Sequence, residues 1–303
     1  MSEITKKVVV VVVTYNRKEL LHENIVALKK QDYDNIEVLV IDNASTDGTK
    51  EHIISELPEN FHYINTGANL GGAGGFNFGM KKAMELKPDY ILLMDDDTIV
   101  TEDTISNLVA HAKCLKDDFG FLSSYAKWTD GSYCKMNRQN IDKYGWIEDV
   151  NLVNNGFVRV DRATFVSFFV KREVVEAVGY PIKEFFIWAD DTEYSNRIAK
   201  QYRCYADLNS VVIHKMKENA DTTNQSFLDA TDKARINRYF YSFRNHMYIA
   251  RKKGKKESVV YFFKVLYRSF IVLRKANSSK FLKLVVLWKG FFAGLGFNPT
   301  IEY

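Results

Sequence analysis

The chain has 303 residues, 46% hydrophobic and 26% charged, which fits one large globular domain or a domain with an appendage and excludes a low-complexity chain. Three scattered cysteines, Cys114, Cys134 and Cys204, form no CxxC pair and no disulfide framework, so a reducing cytoplasmic setting is expected. The overall charge of +4 is unevenly spread: residues 234–303 carry 15 Lys and Arg against two acids, Glu257 and Glu302, a net of +13, which leaves residues 1–233 at −9.

Met1 to Lys7 lack the shape of a signal peptide and lead directly into Val8–Val13, a β-branched run that reads as a fully buried strand of parallel type. Asn16 followed by Glu19 predicts a capping box for a helix over about 17–30, with Leu20, Leu21, Asn24, Ile25 and Leu28 on one face. Ile36–Ile41 predicts a second strand, residues 42–49 a polar turn, then a short helix to about Leu57 and a third strand over Phe61–Ile64. A Gly-rich loop and a helix to Lys87 lead to a fourth strand, Tyr90–Met94. Four strand–helix alternations in a hundred residues predict an open α/β sheet of mostly parallel strands. Ligands of such sheets bind beyond the carboxyl ends of the strands, where Thr14, Asp42 and Asp95 all fall.

Further on, a helix over about 102–116 is expected, with Thr101 as its N-cap and Ile105, Leu108, Val109, Ala112 and Leu115 inward. Residues 119–170 read as strands and loops, followed by a helix near 172–178 that ends at Gly179. Another helix starts after Phe185–Trp188, with Asp190 placed as cap and Glu193 three residues on. Beyond Ala234 the pattern is helical, basic and aromatic. Lys264, Arg268, Lys283 and Lys289 interrupt every apolar stretch before it reaches the length of a membrane span. Basic residues interleaved with aromatics suggest helices lying on an anionic membrane surface, ahead of simple packing on the acidic part of the chain. Nucleic acid is the weakest of the three partners, given the −9 of residues 1–233.

Three features carry chemistry. Asp95-Asp96-Asp97 ends a buried strand, and like charges so close imply a bound cation with hard oxygen ligands, Mn²⁺ or Mg²⁺, rather than a solvated turn. Gly67, Gly71, Gly72, Gly74, Gly75 and Gly79 crowd thirteen residues without forming a GxGxxG fingerprint or a Walker A loop, which disfavours a dehydrogenase or P-loop enzyme and leaves ligand contact by a flexible backbone. A second acidic group, Asp190, Asp191 and Glu193, holds a carboxylate suited to general-base work. His214, ending the strand-like Ser210–Ile213, is placed to complete a metal shell; His22, His52, His62, His111 and His246 have no such context.

Together these segments resemble the family 2 glycosyltransferases, inverting enzymes of the nucleotide-sugar-binding GT-A fold, over roughly residues 7–250. Val9–Arg17 looks like the family's opening strand, Val40–Thr49 like its nucleotide-base loop and Asp95-Asp96-Asp97 like its DxD metal motif. Asn69–Phe76, the triple Asp and the stretch Trp188–Glu193 are similar to the bacterial galactofuranosyltransferases, although Ala189 here separates the Trp from the Asp pair. The resemblance implies a GT-A catalytic domain over 1–233 and a basic helical extension over 234–303. It implies donor contacts from Thr14, Asn16, Arg17, Asp42, Asn43, Asn69, Gly71, Gly72, Gly74, Gly75, Asp95 and Asp96. Mn²⁺ or Mg²⁺ would sit on Asp95, Asp97 and His214, Asp191 would be the base, and Trp188, Asp190 and Glu193 would meet the acceptor. The expected reaction is transfer of one galactofuranose from its UDP donor to a glycan, carried on a polyprenyl diphosphate, at the inner face of the cell membrane. A dTDP-rhamnose transferase on the same scaffold is the alternative, and a non-catalytic nucleotide- or glycan-binding protein the rival from another class.

Overall fold

A computed structural model describes residues 5–219 and 224–303, so the expectation about the leading residues falls mostly outside it. In chain order the elements are β1 (Val8–Thr14), α1 (Lys18–Leu28), β2 (Ile36–Asp42), α2 (Thr49–Ile53), β3 (Phe61–Asn65), α3 (Gly71–Glu85), β4 (Tyr90–Asp95), β5 (Thr98–Val100), α4 (Thr104–Cys114), β6 (Phe121–Lys127), β7 (Asn140–Ile141), α5 (Gly145–Glu148), α6 (Val150–Asn154), β8 (Phe157–Arg162), β9 (Phe168–Lys171), α7 (Arg172–Val178), α8 (Asp190–Ala199), β10 (Tyr205–His214), α9 (Asn224–Asp229), α10 (Lys233–Lys253), α11 (Lys255–Lys275) and α12 (Lys280–Gly296).

One mixed sheet organises the first two thirds, in the order β3-β2-β1-β4-β9-β6-β10-β8-β7, with β5 added to β10. Strands β3, β2, β1 and β4 run parallel, while β9 enters antiparallel between β4 and β6. The valine run of β1 is buried on both faces: Val8, Val10 and Val12 enter one core, and Val9, Val11 and Val13 the other. Helices on both sides of the sheet make this necessary, which is why the run does not alternate with polar residues.

The glycine segment is mainly helical, not a loop, and most of its glycines are there for packing. A Cβ at Gly79 would lie 2.5 Å from Val11 Cγ1, and one at Gly75 would lie 2.6 Å from Val13 Cγ1, so α3 rests directly on β1. Gly71 has φ +72 and would clash with the Phe186 carbonyl, whereas Gly72 faces open space.

Two expected caps are corrected. Asn16 does not close α1: it adopts φ 53, and its Oδ1 accepts from the Thr46 N–H at 2.7 Å, which ties the β1 end to the loop after β2. Helix α4 starts two residues later than expected, with Asp103 rather than Thr101 at the cap position. Gly179, at φ 77, ends α7 as expected.

Helices α10, α11 and α12 enclose a core of their own, including Ile236, Phe243, Val265, Leu287 and Phe291. A smaller cluster of Ala73, Ile182, Phe185, Ala189 and Tyr248 joins α10 to the sheet-bearing part. Lys283, read as an interruption of α12, is buried there and donates to the Leu228 carbonyl at 2.6 Å. After α12 the chain folds back, and Glu302 takes hydrogen bonds from Lys183 (2.7 Å) and Asn77 (3.0 Å). No helix of the described residues is long and apolar enough to cross a membrane.

Candidate active site

The acidic triplet sits where β4 ends and the chain reverses into β5. Strand β5 pairs antiparallel with β10 and sets Thr98 opposite His214, which brings the imidazole beside Asp97. His214 Nε2 lies 3.1 Å from Asp97 Oδ1. Nδ1 lies 2.8 Å from Asn137 Oδ1, an acceptor, so Nδ1 carries the proton and Nε2 is turned toward the carboxylates. Burial works to lower the His214 pKa, but Asp97 and Cys134 prevail and raise it to about 10.

Arg17 joins this cluster, with Nη1 donating to Asp96 at 3.0 Å and to Asp97 at 2.8 Å. Thr14 Oγ1 donates to the other Asp96 oxygen at 2.7 Å. The middle aspartate is therefore anchored on both oxygens, which leaves Asp95 and the Oδ1 of Asp97 for a ligand. Asp95, Asp97 and His214 each offer one ligand atom, and these atoms lie within 4.8 Å of one another. Asp97 Oδ1 is buried and has no hydrogen-bond partner apart from the neighbouring His214 Nε2 at 3.1 Å. Two hard oxygens and one imidazole nitrogen suit Mn²⁺ or Mg²⁺, and an ion there would take the place of the His214 Nε2 proton between the imidazole and Asp97 Oδ1. Burial, then the Asp97 charge, pushes the Asp95 carboxyl up to about 7. Burial raises Asp96 to about 6 against the pull of Arg17. Asp97 lies below the usual range because His214 and Arg17 together outweigh its burial.

The loop after β2 flanks this cluster, since Asp42 pairs with Thr14 in register. Asp42 is buried; its Oδ1 accepts from the Ser45 N–H (2.9 Å) and hydroxyl (2.6 Å), and its Oδ2 accepts from Tyr63. Asn43 Nδ2 donates to the Gly71 carbonyl at 3.0 Å, while its buried Oδ1 makes no hydrogen bond. Asn69 is exposed, and its Oδ1 accepts from the Gly71 N–H at 2.9 Å, preparing the start of α3. The structure thus brings Thr14, Arg17, Asp96, Asp97, Asp95 and His214 into one cluster, with Asp42, Asn43 and the first turn of α3 flanking it.

The second acidic group is delivered by a contorted loop. Phe186 (φ 64, ψ −60) is the centre of a strained γ-turn in which Ile187 N–H donates to the Phe185 carbonyl at 2.7 Å. Trp188 and Ala189 also have positive φ, 65 and 66. Ala189 stands at the cap position of α8, so Asp190 is its first helical residue rather than its cap. Asn245 of α10 holds the loop, sharing its amide protons among the carbonyls of Phe185 (3.0 Å), Ile187 (3.2 Å) and Trp188 (2.9 Å). Glu193 faces along the helix and pairs with Arg197 through both oxygens, at 3.1 and 2.9 Å, which gives it a structural task.

Burial, the Asp191 charge and the Asp95 charge push Asp190 well above the ordinary carboxyl range. The Asp95 charge is thus near enough to act on Asp190, so the two acidic groups are neighbours in the fold. Asp191 is raised by burial, opposed by the Thr192 N–H and by the charge of Arg162. The Trp188 ring lies 4.8 Å from the Tyr239 ring of α10, partly exposed and open to a ligand. Asn137, Cys134, Arg162 and Asn245 escaped the sequence reading, because each acts on residues 26 or more positions away and none lies in a local pattern.

Residues 9–178 match the family described as glycosyl transferase family 2. Galactofuranosyltransferase GlfT1 of Mycolicibacterium smegmatis is 38% identical over 116 residues, which span 37% of this chain and 38% of that protein. Among solved structures, mannosyltransferase PcManGT from Pyrobaculum calidifontis, in complex with GDP-Man and Mn²⁺, superposes with a TM-score of 0.59 over 97% of this chain and 76% of its own, at 19% identity. GalNAc-T7 with UDP, GalNAc and Mn²⁺ gives a TM-score of 0.59 over 80% of this chain and 51% of its own, at 16% identity. At such identities the two structures speak to the fold.

Proposed function

The chain belongs to glycosyl transferase family 2 and has the GT-A fold, and from that premise we propose that it transfers a sugar from a nucleotide diphosphate to a glycan with inversion at the anomeric carbon. The observation that carries this reading is the convergence of Asp95, Asp97 and His214 on one point, with Asp190 near enough to feel the Asp95 charge. Galactofuranose from UDP-galactofuranose is the donor we favour, supported by the likeness to galactofuranosyltransferase GlfT1 across the residues that it matches.

In this reading residues 1–233 are the catalytic unit. Asp95, Asp97 and His214 would hold Mn²⁺ or Mg²⁺, whose charge would stabilise the departing nucleoside diphosphate. Thr14 and Arg17 fix Asp96 and so the backbone of the triplet, and Arg17 balances its negative charge. Asn16 fastens the loop that bears Asp42 and Asn43 against the end of β1, shaping the nucleoside pocket. Asn69, Gly71 and Gly72 open the first turn of α3 toward the donor, while Gly74 and Gly75 let that helix sit close enough. Asp191 takes the proton from the acceptor hydroxyl as that oxygen attacks. Asp190, held toward its neutral form, donates a hydrogen bond to the acceptor, and Trp188 offers a ring face for a sugar to stack on.

Calorimetry tests the donor site. UDP is expected to bind with Mn²⁺ at least tenfold more tightly than with EDTA, and Asp97→Asn should abolish that difference. A wild-type protein indifferent to the ion would overturn the reading.

Residues 234–303 form the membrane-facing part of this reading. Among the described residues none of their 15 cations forms an ion pair, contrary to what basic helices packed by charge on the acidic unit would show. Val259, Phe263, Leu266, Phe270 and Leu273 form an exposed apolar stripe along α11, and Phe281 of α12 is 82% exposed. Such a surface suits an anionic leaflet. The intact protein is expected to sediment with phosphatidylglycerol vesicles at low salt, far less at 0.5 M salt, and not with neutral vesicles. Equal recovery in all three supernatants would remove the membrane contact.

A further inference from the structure

Between α10 and α11 lies a cavity of about 170 Å³ lined by Tyr239, Ser242, His246, Tyr261, Lys264 and Arg268. Its chemistry is one-sided. The largest charges acting on His246 are those of Arg268, Arg162 and Lys264, and the cavity lining holds no carboxylate. Among the described residues Arg268 has no ion-pair or hydrogen-bond partner; it lies over the Phe243 ring at 5.5 Å. A partly buried guanidinium without a counter-ion is costly unless an anion arrives to share the site.

The position of the cavity ties it to Trp188 and the loop that delivers Asp190 and Asp191. Tyr239, on its wall, stacks its ring on Trp188. Helix α10, which supplies Tyr239, Ser242 and His246, also holds the Asp190–Asp191 loop through Asn245. The charge of Arg162 acts on both Asp191 and His246, so the base and this wall of the cavity share an electrostatic neighbour.

We propose that this cavity binds a phosphate or diphosphate ester of the acceptor, with Arg268 and Lys264 as its charged contacts, and so sets the acceptor hydroxyl at Asp191. The inference rests on the sugar-transfer reading for its purpose, but the anion site can be read without it. Two sources share this chemistry, a lipid diphosphate headgroup and a free phosphate. The exposed apolar stripe on α11, the helix that carries Lys264 and Arg268, gives an isoprenoid chain a surface to follow.

The test is calorimetry on the intact protein in EDTA, with inorganic pyrophosphate and with farnesyl diphosphate as probes, so that the metal-dependent donor site is silent. Wild-type protein is expected to bind at least one probe, with affinity falling about tenfold in Arg268→Gln and in Lys264→Gln and partly restored in Arg268→Lys. Binding of UDP with Mn²⁺ should stay within about twofold of wild type in all three, which shows that they fold. Tighter binding of farnesyl diphosphate assigns the source to a lipid; equal binding of the two probes assigns it to the free group. Absence of binding by either probe, undiminished binding in both Gln variants, or displacement by UDP would overturn the proposal. If instead UDP–Mn²⁺ binding fails in the wild type while the probes still bind, the donor reading falls and the anion site stands.

Discussion

Asp191→Asn is expected to lower turnover by about 10³-fold while leaving the binding of UDP with Mn²⁺ unchanged. The substitution keeps the shape of the side chain and its hydrogen bond from the Thr192 N–H, but removes the only function proposed for it, acceptance of a proton. A pH profile gives a second view of the same group. Burial raises the Asp191 carboxyl, and a general base acts only when ionised, so turnover should climb with pH along a limb lying above the ordinary range for aspartate. The neighbouring Asp190 is pushed up well beyond the ordinary range, with the Asp191 charge among the causes, in keeping with the separate tasks proposed for the two carboxyls. Steady-state kinetics with a UDP-sugar and acceptor decide the matter: an Asn variant with wild-type turnover would transfer the role of base elsewhere.

The second large effect is expected from a residue that touches no substrate. Asn245→Leu should destabilise the protein by about 2 kcal/mol, since buried carbonyls of the 185–188 segment lose their donor. Phe185 retains a hydrogen bond from Arg244 at 3.2 Å, but Ile187 and Trp188 have no such substitute among the described residues. The loop also stores strain in Phe186, Trp188 and Ala189, all at positive φ, and relaxes once the clamp is gone. A shift of about 1 Å in Asp191 costs roughly 10²-fold in rate. Urea unfolding and turnover should therefore both fall in Asn245→Leu, with binding of UDP and Mn²⁺ retained. An unaltered rate in the folded variant would show that the loop holds its shape unaided.

How much could be read in advance depended on whether the cause was local. Strands β1, β2 and β4 were legible because a strand buried on both faces must be apolar throughout, and their carboxyl ends follow from where those runs stop. The acidic triplet was legible for the same reason, and the structure sets His214, which ends a strand-like run, beside it as a candidate metal cluster. Caps were not. Asn16 has the composition of an N-cap, yet the neighbouring loop offers its side chain a better partner in Thr46. Asp190 and Glu193 have the spacing of a capping box, yet the chain enters α8 through the left-handed Ala189 and Arg197 takes the glutamate. The glycine run looked like a loop since glycine disfavours helices; the close approach to Val11 and Val13, invisible without the partner strand, explains it. Asn245 and Arg162 left no trace in the sequence because their partners are set by the fold alone.

The spacing of glycines along α3 also divides its surface for an experimenter. Positions 75 and 79 are closed to any side chain, but position 72, at the helix start beside the proposed donor site, has nothing within 4 Å of a Cβ and no unusual φ. Cys134 and Cys204 are buried and Cys114 is exposed. A single thiol installed at 72, with Cys114 replaced, would thus carry a fluorophore next to the nucleotide without disturbing the packing beneath, and turn donor occupancy into an optical signal.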